Sequence, residues 1–343
     1  MSEKITLIMP AYNAAPYIER SVGSVLEQRH RDLELIVVDD GSTDDTAARL
    51  AAMAAADPRL RPMTVPNGGP AMARNRALDA MSPDTDYVMF IDADDLLLPD
   101  AADYALSAAR EGADLVVFGF SILEIGGGKR DYCQPQQRLD RQSLGAALPR
   151  LYRANLINQV WGKLFRAELI VREGLRFPDY RWGEDRLFLF RAMAAAERLT
   201  VLPECKYQYM MHEGESLITR YYDRKFEVCL EVDRQMEALA DQLGVTGDAD
   251  LRYMFLKSVF SCLTTLYAPN CTLTAAEKRA AAAAVMAEPR VRERSRGASG
   301  GLPVAALGAV LRSGSPSLAL AAFRAVALVG EKAPALFMSL KHR

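Results

Sequence analysis

Tyr87-Val88-Met89-Phe90-Ile91-Asp92-Ala93-Asp94-Asp95 is the stretch on which the fold turns. A β-branched and aromatic run that stops abruptly at acidic residues reads as a buried parallel strand with carboxylates at its carboxyl end. Leu35-Ile36-Val37-Val38-Asp39-Asp40 shows the same pattern earlier in the chain. Ligands of open α/β sheets sit beyond the carboxyl ends of the strands, so both clusters are expected to face a crevice and not a core.

Working outward, strand patterns at 5–9, 33–38, 61–65, 87–91 and 114–120 alternate with helical patterns at 16–28, 70–81 and 100–112. Ser42 or Thr43 is expected to cap a further helix, with Asp44 and Asp45 in its first turn. This alternation predicts a mainly parallel mixed sheet flanked by helices. The turn after the first strand, Pro10-Ala11-Tyr12-Asn13-Ala14-Ala15, has no glycine, which excludes the dinucleotide fingerprint; a lysine phosphate loop and a nucleophile elbow are also missing. Residues 121–133 read as a hairpin around Gly126-Gly127-Gly128, followed by a helix near 143–152. Glu184-Asp185 opens what reads as an amphipathic helix, Arg186 to Ala196.

A length of 343 residues predicts roughly two domains. The boundaries expected are an α/β domain over 1–222, of which 1–125 reads as nucleotide-binding and 126–222 changes character, and a C-terminal helical extension over 223–343. A net charge of −2 gives no basic field for nucleic acid. Cys133, Cys205, Cys229, Cys262 and Cys271 lack paired spacing and are odd in number, which fits reduced thiols in the cytoplasm. No secretory leader and no uninterrupted apolar span is expected. Residues 289–343 hold nine Lys and Arg against two acidic residues, so peripheral contact with the inner face of a membrane is expected there, while the helical extension leaves room for a homo-oligomer.

Taken together, Ile8-Met9-Pro10-Ala11-Tyr12-Asn13, Val38-Asp39-Asp40-Gly41-Ser42-Thr43-Asp44, Asn67-Gly68-Gly69 with Ala73-Arg74-Asn75, Asp92-Ala93-Asp94-Asp95 and Glu184-Asp185 resemble the successive motifs of family-2 glycosyltransferases. The match runs over roughly 4–220 in the family's order. The resemblance implies a GT-A-like fold, inversion at the anomeric carbon, a Mn²⁺ or Mg²⁺ ion and a nucleotide-sugar donor, by family habit UDP-linked. The acceptor it suggests is a saccharide or lipid-linked sugar, as in bacterial surface-polysaccharide assembly.

By that resemblance Pro10 and Tyr12 line the base pocket, Asp40 binds the base or ribose with Asp39 in support, and Arg74 approaches the donor or pairs with Asp39, Asp40 or Asp92. Asp92 lies near the ribose and shares the metal with Asp94, and Asp95 supports either. Three carboxylates in four positions repel unless a cation or donors compensate them. Asp185 is the base that takes the acceptor proton, with Glu184 and Trp161 on the acceptor side in the part over 126–222, although core packing serves Trp161 equally well. An acidic pair at a helix start is also stabilised by the helix dipole alone. Lys163 is a weaker candidate, as are His212 and Arg220, the latter following a loop at Ser216-Leu217-Ile218-Thr219 expected to close over the donor. Two other readings compete: a scaffold that keeps the fold without turnover, and a sugar nucleotidyltransferase, whose glycine-rich Arg/Lys loop is missing here.

Overall fold

Strands buried on both faces need continuous apolar sequence, and the computed structural model places β2 (Leu33–Asp39) buried along its whole length between β1 (Ile5–Ala11) and β3 (Leu60–Thr64). The structure describes residues 3–212, 220–296 and 302–332. The chain divides into two compact units, Met1–Glu213 with Leu239–Gly244, and Gly214–Ala238 with Val245–Arg343.

In the first unit, α1 (Ile18–Leu26), α2 (Thr46–Ala56) and α3 (Pro70–Asp79) connect these strands to β4 (Tyr87–Phe90). Next come β5 (Leu96–Leu97), α4 (Ala101–Ala109), β6 (Leu115–Leu123), β7 (Lys129–Tyr132), β8 (Gln137–Leu139), α5 (Arg141–Arg153) and β9 (Lys163–Arg166). The unit's sheet is completed after α6 (Ala167–Arg172) and α7 (Glu184–Ala195) by β10 (Leu199–Met210). The sheet runs β3-β2-β1-β4-β9-β6-β10-β5, with β7 on β6 and β8 on β10. Pairing is parallel through β3-β2-β1-β4 and again between β6 and β10, whereas β9 lies antiparallel to both β4 and β6. Strand order reverses between β1 and β4, which opens the crevice at their carboxyl ends. Asp39, Tyr12 and Asp92 sit at that edge.

Phe90 at the end of β4 anchors the layer behind the crevice. Its ring meets Phe165, Phe177 and Phe188 edge-on at 5.4–5.6 Å. Emptying such a site typically costs about 3–5 kcal/mol.

Two local expectations are corrected. Helix α2 begins at Thr46, later than a Ser42 or Thr43 cap implies, because Asp44 accepts from the Thr46 backbone N–H and hydroxyl while Ser42 turns its own N–H to Asp39. Helix α7 is not amphipathic: Leu187, Phe188, Leu189, Phe190, Ala192 and Met193 are all buried, so it is enclosed nearly all round.

The second unit is helical in its described residues: the greater part of α8 (Lys225–Gln242), then α9 (Ala249–Thr264), α10 (Ala275–Ala287), α11 (Pro289–Ser295), α12 (Leu302–Arg312) and α13 (Pro316–Lys332). No described helix is long and apolar enough to cross a membrane. The described cysteines are all free thiols.

Candidate active site

Arg74 is the joint of the site. It lies on the face of α3 that buries Ala71 and Ala77, and is itself 4% exposed. One terminal nitrogen donates to Asp185 Oδ1 at 2.8 Å and to Glu184 Oε1 at 3.3 Å, and the other donates to Asp92 Oδ1 at 2.9 Å. Burial works against its charge, but Asp185, Asp92 and Glu184 more than compensate and raise its pKa. Both terminal nitrogens are thereby spent on carboxylates. Pairing with Asp92 matches one of the alternatives open for Arg74; pairing with Asp39 or Asp40 does not occur.

Helix α7 brings the other half. Gly183 adopts φ +84° at its start, a left-handed turn that glycine tolerates, and aims Glu184 and Asp185 at Arg74 from the first helical turn. Burial pushes the Glu184 carboxyl up to about 7, with Asp185 adding to the effect. Burial likewise raises Asp185, against the opposing pull of Arg74. The second oxygen of Asp185 lies 3.4 Å from the backbone N–H of Val160. A carboxylate of raised basicity, beside a guanidinium that opposes its protonation, is equipped to accept a proton. Lys163 is buried, donates to the Trp161 carbonyl at 3.0 Å, and is brought down to about 7 by burial, partly offset by Asp185.

The turn after β4 separates its acidic residues by task. Asp95 is fully buried and accepts from the Tyr207 hydroxyl at 2.6 Å and from the Met210 backbone at 2.8 Å. Tyr207 in turn accepts from the Asp92 backbone N–H at 3.2 Å, so β10 latches the turn in place. Asp94 is the most open of the three, its side chain 44% exposed; burial of its remaining surface and the neighbouring Asp92 raise its pKa. His212 Nε2 stands 3.8 Å from Asp94 Oδ2, buried and without a hydrogen-bond partner among the described residues, and its ring lies 4.1 Å from that of Tyr17. Among the described residues no group of three or more His, Cys, Asp or Glu is arranged to hold a metal ion. Asp94 and His212 nevertheless fit a divalent cation as a partial set, since Mg²⁺ commonly takes one or two carboxylates and completes its shell with water and phosphate oxygens. The orphaned imidazole nitrogen is the observation that favours this fit.

In the other cluster the two aspartates have different partners. Asp40 spends both oxygens on the backbone N–H groups of Gly68 and Gly69, at 2.7 and 2.8 Å, and so fastens the loop leading into α3. Asp39 bonds the Ser42 N–H through Oδ1, while its Oδ2 is buried with no partner among the described residues. The free acceptor is therefore on Asp39. Pro10 is half-buried within β1, and Tyr12 just beyond it is 53% exposed. Asn13 at φ +47° accepts from the Thr43 N–H and donates its own N–H to Ser42, tying the loops after β1 and β2 together.

Trp161 is a correction. It is 8% exposed, one face stacked on Tyr207 at 4.4 Å and its surroundings closed by Phe120 and Tyr209. Its ring packs the core beneath the turn and is not presented for stacking on a sugar. Arg220 belongs to the second unit, and the loop at Ser216–Thr219 lies outside the described residues. Sequence reading missed Tyr207 as a latch and Asn13 as a loop tie. An Asn at a strand-to-helix turn, where left-handed backbone is common, is the signal that marks the second.

The model of the family described as glycosyl transferase family 2 matches residues 6–166. The chain is 32% identical over 210 residues to the "uncharacterized glycosyltransferase EpsJ" of Bacillus subtilis, covering 60% of each. It is 31% identical over 217 residues to the succinoglycan biosynthesis protein ExoO of Rhizobium meliloti, covering 61% of each. The match thus spans about three fifths of these relatives' lengths. A crystal structure of S. aureus TarS in complex with UDP-GlcNAc superposes with a TM-score of 0.65 at 19% identity, over 94% of this chain and 91% of that one, a likeness of fold.

Proposed function

Because the chain belongs to the family-2 glycosyltransferases, we propose that it moves a sugar, with inversion at the anomeric carbon, from a UDP-sugar to a hydroxyl of a saccharide or lipid-linked acceptor in polysaccharide biosynthesis. The observation that carries this reading is the buried bridge Asp92–Arg74–Asp185. One guanidinium joins a carboxylate of the donor edge to the carboxylate suited to be the base, so the two halves of the reaction are held in one network.

In this reading the acceptor oxygen forms a bond to the anomeric carbon as the bond to the diphosphate oxygen breaks, and the diphosphate leaves with the electron pair. The hydroxyl proton passes to Asp185, whose raised basicity suits the task. Tyr12 offers an exposed ring to the base, and the unpartnered Oδ2 of Asp39 offers an acceptor to a base N–H or a ribose hydroxyl. Asp94 and His212 would hold a Mn²⁺ or Mg²⁺ ion, which when bound supplies positive charge for the departing diphosphate, while Asp92 stays paired with Arg74. UDP is favoured because the TarS structure of the same fold carries UDP-GlcNAc. ExoO, a succinoglycan biosynthesis protein by name, supports the polysaccharide setting.

Asp185→Asn tests the reading. Calorimetric binding of UDP, compared with GDP and dTDP, is expected to stay within about twofold of the parent, while sugar transfer falls by roughly 10²–10⁴-fold, the usual share of a general base. Unchanged transfer in Asp185→Asn overturns the mechanism. Intact UDP binding with no transfer by the parent protein to any saccharide or lipid-linked acceptor favours the scaffold reading.

A further inference from the structure

The basic character of the C-terminal residues has no role in the chemistry above, and the helices show where it is placed. Arg290 and Arg294 are used internally, paired with Asp233 and Glu237 of α8. Arg292, Arg296, Arg312 and Arg324 are exposed and have no carboxylate partner among the described residues. The first three line a pocket of about 330 Å³ whose other walls include Met286, Leu311 and Pro316 and no acidic side chain. Two of them are pinned by backbone carbonyls at helix ends: Arg292 donates to Met286 O at 3.0 Å and Arg312 to Ser295 O. Pro316 is the first residue of α13, so this cationic pocket lies at the start of that helix.

Helix α13 is two-sided in an unusual sense. Ala319 and Phe323 face inward, the latter edge-on to Phe260 at 5.4 Å, yet the outward face is also apolar. Leu318, Ala321, Ala325 and Leu328 follow helical spacing on that face and are all exposed, the two leucines by 50% and 43%, with Arg324 among them. A helix lying in a bilayer interface needs an apolar stripe to enter the acyl boundary and cations to meet anionic headgroups.

We propose that the outward face of α13, with the Arg292–Arg296–Arg312 pocket at its start, is a docking surface for an anionic lipid bilayer, the arginines taking lipid phosphates and Leu318 and Leu328 entering the acyl edge. Charge complementarity selects a bilayer over a second copy of the chain, since a twofold contact here would set arginine against arginine. The surface is independent of the transfer chemistry, and its failure leaves that reading untouched.

Flotation of the full chain with vesicles of phosphatidylcholine alone or mixed with phosphatidylglycerol tests it. Binding is expected to be at least tenfold stronger to the anionic vesicles and to weaken with salt. Arg296→Gln with Arg324→Gln, whose side chains make no hydrogen bond among the described residues, should weaken it by about 25-fold at roughly fivefold per arginine. Leu318→Ser with Leu328→Ser should weaken it comparably without lowering Tm. No binding to either vesicle, or equal binding to both, overturns the proposal. So does a dimer in sedimentation that the leucine pair dissociates while vesicle binding stays unchanged.

Discussion

Replacing Arg74 by Met isolates the joint between the two halves of the site. The side chain is almost wholly buried, and its loss strands Asp92, Glu184 and Asp185 beside one another without their shared cation. Removing one partner of a buried ion pair costs about 3–5 kcal/mol. In a unit of this size each kcal/mol moves Tm by about 2–4 °C, so a fall of roughly 6–20 °C is expected in a thermal scan at pH 8. The loss should shrink at pH 5, because carboxylates freed of Arg74 and already raised by burial take up protons and relieve their repulsion. Activity should respond separately. Arg74 opposes protonation of Asp185, so without it the acid limb of the rate profile shifts to higher pH. Arg74→Lys keeps the charge but not the fork that reaches several carboxylates, and should fold nearly normally while retaining part of that shift. A Met variant with Tm within about 2 °C of the parent, or a rate profile unmoved in both variants, would refute the bridge as the element that couples donor edge and base.

Tyr12→Ala should leave Tm unchanged, because the ring is half exposed, yet raise the UDP dissociation constant about tenfold, in line with the roughly 1–3 kcal/mol of a base–aromatic stack; unchanged affinity in calorimetry removes Tyr12 from the base site. Glu34 carries an acid-stability prediction: burial alone would raise it, but bonds from Thr6, Ser82 and Arg61 bring it down to about 2 from an ordinary 4.5. A depressed folded pKa contributes stability above about pH 5 and loses it as pH falls towards 2, worth about 2–3 kcal/mol after allowance for the half-exposed Arg61. Denaturant titrations of Glu34→Gln should therefore show lower stability at pH 7 and a flatter decline below pH 5; an unchanged acid limb contradicts the assignment. UDP binding should weaken at least tenfold when divalent cations are chelated, and Asp94→Asn should weaken the cation-dependent part; equal affinity with and without chelator removes the cation from donor binding.

The alternation of strands and helices was readable because β2 and β4 are buried on both faces and stop at aspartates, so the apolar run and the functional edge share one sequence signal. Distant partnerships were not. Arg74 meets Asp185 across 111 positions, and the only local hint is that a single arginine shares its helix face with the small, buried Ala71 and Ala77. Trp161 misled because an aromatic ring serves a sugar and a core by the same chemistry, and its position on Tyr207 depends on β10, much later in the chain. Helix α7 reads as amphipathic because Leu187, Phe188, Phe190, Ala194 and Ala195 fall on one side, whereas Leu189, Ala192 and Met193 on the other side are buried as well. Which of Asp39 and Asp40 keeps an unpartnered oxygen among the described residues depends on which side chain the loop at Gly68-Gly69 captures, a matter of loop path and not of residue type.

The charges of the site then bear on one another. Asp94, Asp95, Glu184 and Asp185 all have raised pKa values, with burial the leading cause in each. Arg74 is set among Asp92, Glu184 and Asp185, Arg20 acts on Asp94, and burial brings Lys163 down to about 7. A nucleoside diphosphate entering this edge adds further negative charge. With nothing to offset it, the least costly response is protonation of a raised carboxylate. Protonation at Asp185 would disable the base of the proposed reaction. In the proposed function, positive charge drawn to Asp94 and His212 would instead offset the diphosphate, leaving Arg74 to oppose protonation of Asp185. Under the proposed function these two tasks fall to different residues: the open carboxylate of the turn faces an imidazole nitrogen with no hydrogen-bond partner among the described residues, while the more buried ones are tied to Arg74 and Tyr207.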